Sequence, residues 1–153
     1  MKITVSEITV LLKQVNSKAL PRKLTIQRVK EIILFLIKKE GKEKEINVVF
    51  TNDRVIKKLN KEYRYKNTAT DVLSFEYKEE PGCPGEIVIS LSAAKKQADN
   101  YGNTYLTEVV TLLVHGFFHI NGFRHYRRKE YLLMKKKEQI ALKMLMERGF
   151  IDE

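Results

Sequence analysis

Residues 104 to 125 read Thr-Tyr-Leu-Thr-Glu-Val-Val-Thr-Leu-Leu-Val-His-Gly-Phe-Phe-His-Ile-Asn-Gly-Phe-Arg-His. Apolar side chains at Leu106, Val109, Val110, Leu112, Leu113, Val114, Phe117 and Phe118 leave almost no polar face. Such a segment reads as a helix buried at the centre of a fold, opened by Thr104. His115 and His119 lie four apart, which puts both imidazoles on one helix face, one turn from each other. Gly122 follows where a helix ending near Asn121 needs a residue tolerant of positive φ to reverse the chain. That reversal would carry His125 back toward the other two. A lone histidine on an apolar helix is ordinarily a satisfied core residue. The chain's three histidines all fall in this one window, and three imidazoles converging around a turn describe an open, catalytic type of zinc site. Nickel and copper accept the same donors.

Outward from this segment, Arg128 to Arg148 reads as a last helix, with Tyr131, Leu132, Met134, Ile140, Leu142, Leu145 and Met146 expected to pack inward and lysines to face water. Upstream, Ser90 or Ser92 can cap a polar helix running toward Asn100, broken by Tyr101-Gly102-Asn103. Thr70 to Tyr77 and Glu86 to Leu91 read as strands, neighbours in one sheet, joined by a loop with Pro81-Gly82 and Pro84-Gly85. Ile46 to Thr51 is a further β-branched strand, after which Asn52 or Asp53 caps a helix through Val55, Ile56 and Leu59. Thr25 caps a helix from Ile26 to Glu40, stopped by Gly41. Residues 2 to 5 alternate like a strand, whereas Ile8, Leu11, Leu12 and Val15 drift toward helical spacing, and both readings stay open. With no repeat or linker, residues 1–153 are expected to form a single α+β domain. Its architecture is one mixed sheet packed against several helices, with the histidine-bearing helix central.

The charge balance bounds the partners. Twenty-nine Lys and Arg against nineteen Asp and Glu leave a formal charge of +10, which favours a polyanion; RNA, DNA and anionic lipid all fit. Arg127-Arg128-Lys129 and Lys135-Lys136-Lys137 read most simply as solvated faces. The single cysteine, Cys83, rules out an internal disulfide framework and suits a reducing cytoplasm. No apolar run approaches the roughly twenty residues of a spanning helix, so no membrane role is expected.

The histidine spacing matches the zinc-peptidase pattern His-Glu-x-x-His-x-x-Gly-x-x-His, with one exception. Gly116 stands where that pattern has its general-base glutamate, so the ligand cage is kept and the peptidase base is missing. Phosphodiester cleavage remains open to such a cage, because its transition state gains negative charge that a metal and a guanidinium stabilise. Arg64, at the end of the helix after Asn52, is the candidate guanidinium; the alternative is an ordinary surface arginine.

Four segments carry a family likeness: Leu59-Asn60-Lys61-Glu62-Tyr63-Arg64, Thr70-Asp71-Val72-Leu73-Ser74-Phe75, Gly85-Glu86-Ile87-Val88-Ile89, and His115 to His125. In order and spacing they resemble the motifs of the YbeY family, bacterial endoribonucleases of ribosomal RNA maturation, over roughly residues 45 to 148. The resemblance implies a zinc-dependent, single-strand-directed endoribonuclease acting in small-subunit (16S) ribosomal RNA 3′ end maturation and ribosome quality control. It implies zinc on His115, His119 and His125, and Arg64 with His115 as catalytic residues, Arg64 binding phosphate. The implied partners are precursor ribosomal RNA and the small ribosomal subunit. Asp71 and Glu86 are candidates for hydrogen bonding to the ligands, or else simple turn and cap residues. Two positions depart from the family pattern: Phe123-Arg124 stand where Tyr-Asp is usual, removing a carboxylate, and Glu86 stands where aspartate is usual. A ribosome-assembly factor with a structural zinc and a zinc metallopeptidase are the alternative functions.

Overall fold

The computed structural model describes residues 8–40, 45–64, 71–75, 85–123 and 127–151. Among the described residues four strands form one sheet in the order β1 (Ile8–Leu12), β2 (Ile46–Thr51), β4 (Gly85–Ser90), β3 (Val72–Phe75). β1 and β4 run parallel to β2, and β3 runs antiparallel to β4, so the sheet is mixed, as expected. Residues 8 to 12, where the spacing drifted toward a helix, form a strand, while residues 2 to 5 lie outside the described residues. The helix-like spacing of residues 8 to 12 is outweighed by pairing with β2, from Ile8 opposite Ile46 to Leu12 opposite Phe50.

Five α-helices accompany the sheet among the described residues: α1 (Ile26–Glu40), α2 (Asp53–Arg64), α3 (Leu91–Tyr101), α4 (Tyr105–Ile120) and α5 (Arg128–Glu147). α2, α3 and α4 start at side-chain caps. Asn52 Oδ1 accepts the Val55 N–H at 3.0 Å, Ser90 Oγ that of Ala93 at 3.2 Å, and Thr104 Oγ1 that of Thr107 at 3.1 Å. Gly102 ends α3 in the left-handed conformation, φ 70°.

Strand alternation divides the core between the two faces of the sheet. Ile46, Val48, Phe50, Ile87 and Ile89 point to one face and pack with α1, α4 and α5 in the main core. Val49, Val88 and Leu73 point to the other and pack with Ile56 of α2 in a smaller cluster. α4 is buried along nearly its whole length, including Val109, Val110, Leu113, Val114, Phe117 and Phe118.

α5 corrects the sequence reading. Its buried residues are Met134, Glu138, Ala141 and Leu145, a narrow stripe at steps of four, three and four. Tyr131, Leu132, Ile140 and Met146, expected inside, are exposed, and Leu142 packs only at the margin of the core. The helix carries more apolar residues than its stripe can hold, and a stripe containing a glutamate was not recognisable by hydrophobicity.

Candidate metal centre

The site is built at the C-terminal end of α4, and its position is set by Gly116. A Cβ at this residue would lie 2.6 Å from Ile87 Cγ2 and 3.3 Å from Ser74 Oγ, so α4 touches β4 and β3 here with only a hydrogen between them. The residue that replaces the peptidase glutamate therefore faces the sheet, where a longer side chain would have to displace Ile87.

His115 and His119 project from the adjacent face of the helix. Their rings are nearly perpendicular, 80° apart, with centroids 4.5 Å from each other, and the two Nε2 atoms are 3.0 Å apart. Each Nδ1 has a partner that fixes its role. His119 Nδ1 lies 3.0 Å from the carbonyl oxygen of Phe123, which can only accept, so Nδ1 donates. His115 Nδ1 lies 2.5 Å from Glu138 Oε1, and a carboxylate likewise accepts. With both rings neutral the two Nε2 atoms carry lone pairs, and a proton or a metal ion between them relieves their repulsion. Nitrogens sharing a tetrahedral zinc at about 2.0–2.1 Å stand roughly 3.3 Å apart, so the donor set fits a metal ion with little adjustment.

The carbonyl on His119 comes from the end of α4. Gly122, at φ 92°, donates to His119 O at 3.1 Å, and the next N–H, of Phe123, donates to Phe118 O at 3.1 Å. These are the two bonds of a Schellman motif, completed by edge-to-face packing of Phe118 and Phe123 with centroids 5.4 Å apart. The turn expected at Gly122 is thus present, and it aims the Phe123 carbonyl back at the imidazole. Lys137 of α5 lies over the Phe123 ring at 5.2 Å and pairs with Glu40 of α1 at 2.7 Å.

The remaining predicted residues distribute as follows. His125 lies outside the described residues. Arg64 closes α2; its side chain lies outside the description. Asp71 Oδ2 accepts from Gln97 of α3 at 3.1 Å and Oδ1 from the Val72 N–H at 2.9 Å. Its charge acts on Glu108, whose carboxyl is raised above the usual range first by burial and then by Asp71. Glu108 sits seven residues before His115 on the same helix, about 10 Å along its axis. Glu86 is opposite Phe75 and Asn47, on the sheet face away from α4. Burial raises its carboxyl, and Lys13 is the charge that opposes this. The structure does not bring Glu86 to the histidines; the two-residue repeat of β4 turns it away.

Glu138 was missed by the sequence reading. Its signal was an acid inside a buried stripe, between Met134 and Ala141, and a buried carboxylate requires a partner. A cavity of about 310 Å³ opens beside it, lined by His115, Tyr131, Met134, Lys135 and Glu138. A second groove, about 440 Å³, runs along α2 by the end of β1, among Lys13, Arg54, Lys58 and Glu62. It contains no imidazole.

A family model described as Endoribonuclease YbeY matches residues 11–146. The chain belongs to the YbeY family. Relatives named Endoribonuclease YbeY include that of Carboxydothermus hydrogenoformans, 34% identical over 119 residues, spanning 76% of this chain and 83% of the relative. That of Pelotomaculum thermopropionicum is 41% identical over 110 residues, spanning 67% and 72%. A Thermotoga maritima protein determined in solution shares the fold with a TM-score of 0.62 and 25% identity, over 95% of this chain and 96% of that one. No described helix is long and apolar enough to cross a membrane. Membership in the YbeY family agrees with the loss of the peptidase glutamate, since the family is one of nucleases.

Proposed function

We propose that this chain is a metal-dependent endoribonuclease that cuts single-stranded RNA in the cytoplasm, in the maturation and quality control of the small ribosomal subunit. The observation that carries the reading is the pair of Nε2 atoms turned toward each other at 3.0 Å, with each Nδ1 held by an acceptor, in a chain of an endoribonuclease family. His115 and His119, with His125, would hold the ion, zinc being the first candidate and nickel or copper the others. When bound, such an ion supplies Lewis acidity toward a phosphoryl oxygen and acidifies water near neutral pH. Glu138 holds the His115 ring, the Phe123 carbonyl holds the His119 ring, and Arg64 grips a phosphate. The +10 charge draws the RNA in.

The test is cleavage of a precursor small-subunit ribosomal RNA by purified protein, alongside its metal content. His115→Ala and Arg64→Glu should abolish cutting, and His119→Ala should lower bound metal as well. Equal cutting by wild type and all three variants, or a wild type purified without chelator that carries no metal, would discard the reading. Gly116 sealed against Ile87 favours one second reading, an assembly factor with a structural ion, because it excludes a base at that position. An ion that exchanges slowly, with a protein atom as its fourth ligand, is the outcome that reading requires.

A further inference from the structure

Tyr131 is an aromatic side chain of α5 that stays 47% exposed instead of joining the core. It shares the cavity of about 310 Å³ with His115, and Lys135, one helical turn further on, lines the same wall. Met134, only 2% exposed, forms an apolar floor. Glu138 at the far end is committed to His115 Nδ1, so its charge is spent there. The cavity thus joins an aromatic face, a cation on a flexible stem and a candidate metal-binding imidazole, in a volume at the lower end of small-ligand sites.

We infer that this cavity is a nucleotide subsite, in which Tyr131 stacks on one unpaired base of the RNA and Lys135 pairs with the adjoining phosphate. The inference rests on the endoribonuclease reading for its ligand and adds to it the recognition of one base beside the cutting centre. Stacking on an aromatic ring tolerates any base and demands that the base be unpaired, so the subsite would select single strands without reading sequence. RNA is preferred to a protein segment as occupant because the wall pairs its aromatic with a cation and the whole chain is strongly basic.

The experiment measures binding of the full chain to two fluorescently labelled strands of equal length and charge, oligoadenylate RNA and an abasic counterpart. Wild type should prefer the base-bearing strand by about ten-fold, the order expected for one stacked base. Tyr131→Ala should erase that preference and Tyr131→Phe should keep it. Lys135→Ala should weaken both strands more than Lys143→Ala, which removes an equal charge from an exposed site on the same helix. Circular dichroism confirms that each variant is folded. A preference retained in folded Tyr131→Ala, or a wild type indifferent to the bases, overturns the subsite, and so does tighter binding of a control acidic peptide than of RNA. Loss of the nuclease reading has a different signature: no histidine-dependent cutting, with the base preference and its dependence on Tyr131 intact.

Discussion

At His115 two requirements meet, since an imidazole that binds a cation through Nε2 must have Nδ1 protonated and its ring held still. Glu138 Oε1 at 2.5 Å meets both. Glu138→Ala should lower affinity for divalent zinc by about 10- to 100-fold, read by competition with a chelating dye, whereas Glu138→Gln, whose amide oxygen still accepts, should lose less. Wild-type affinity in both variants would show that the carboxylate does not orient the ring. His119 is held differently, by a backbone carbonyl, and no substitution at Phe123 removes that atom. Of the site residues, the two helical histidines and the Gly122 turn were legible, because spacing and conformational tolerance are local properties. Glu138 was not: a partner 23 positions away depends on how α5 docks, which no window of sequence contains. Glu86 stayed open between a contact to the ligands and a turn or cap residue for the complementary reason. Strand alternation was visible, but which face of β4 would meet α4 was not.

Among the elements, α1 and β2 have the limits expected for them, Ile26 to Glu40 and Ile46 to Thr51. Each has one clear apolar period and a clear cap or stop. α5 lacks that clarity, with apolar residues on most of its circumference. Its energetic content nevertheless lies on one stripe. Leu145→Ala, at a fully buried position, should cost about 2–5 kcal/mol. Ile140→Ala, 44% exposed, should stay within about 0.5 kcal/mol. Urea unfolding compares them directly, and similar losses from the two would contradict the stripe. Because Glu138 shares that stripe with Leu145, loosening α5 should also weaken metal binding.

The molecule as a whole ties its helical layer together through Glu40. Burial pushes this carboxyl up, but hydrogen bonds from Lys137 and Lys39 outweigh burial and hold it below the usual range. A carboxylate lowered by folding contributes stability that is present above its ordinary value and is lost as pH falls through the folded one. Stability between about pH 6 and about pH 3 should therefore fall less steeply in Lys137→Met than in wild type; parallel curves would mean that the α1–α5 pair contributes nothing. The same lysine leans over Phe123, so acid should loosen the turn that carries the His119 carbonyl along with the contact between helices. The contact at Gly116 has a consequence of another kind. Some glycine codons become glutamate codons by changing one base, so descendants of this gene repeatedly encounter the substitution that would restore a peptidase motif. The carbon it adds falls inside the space of Ile87, so the step back toward that motif carries an overpacking cost of about 1–3 kcal/mol before any new chemistry can be selected.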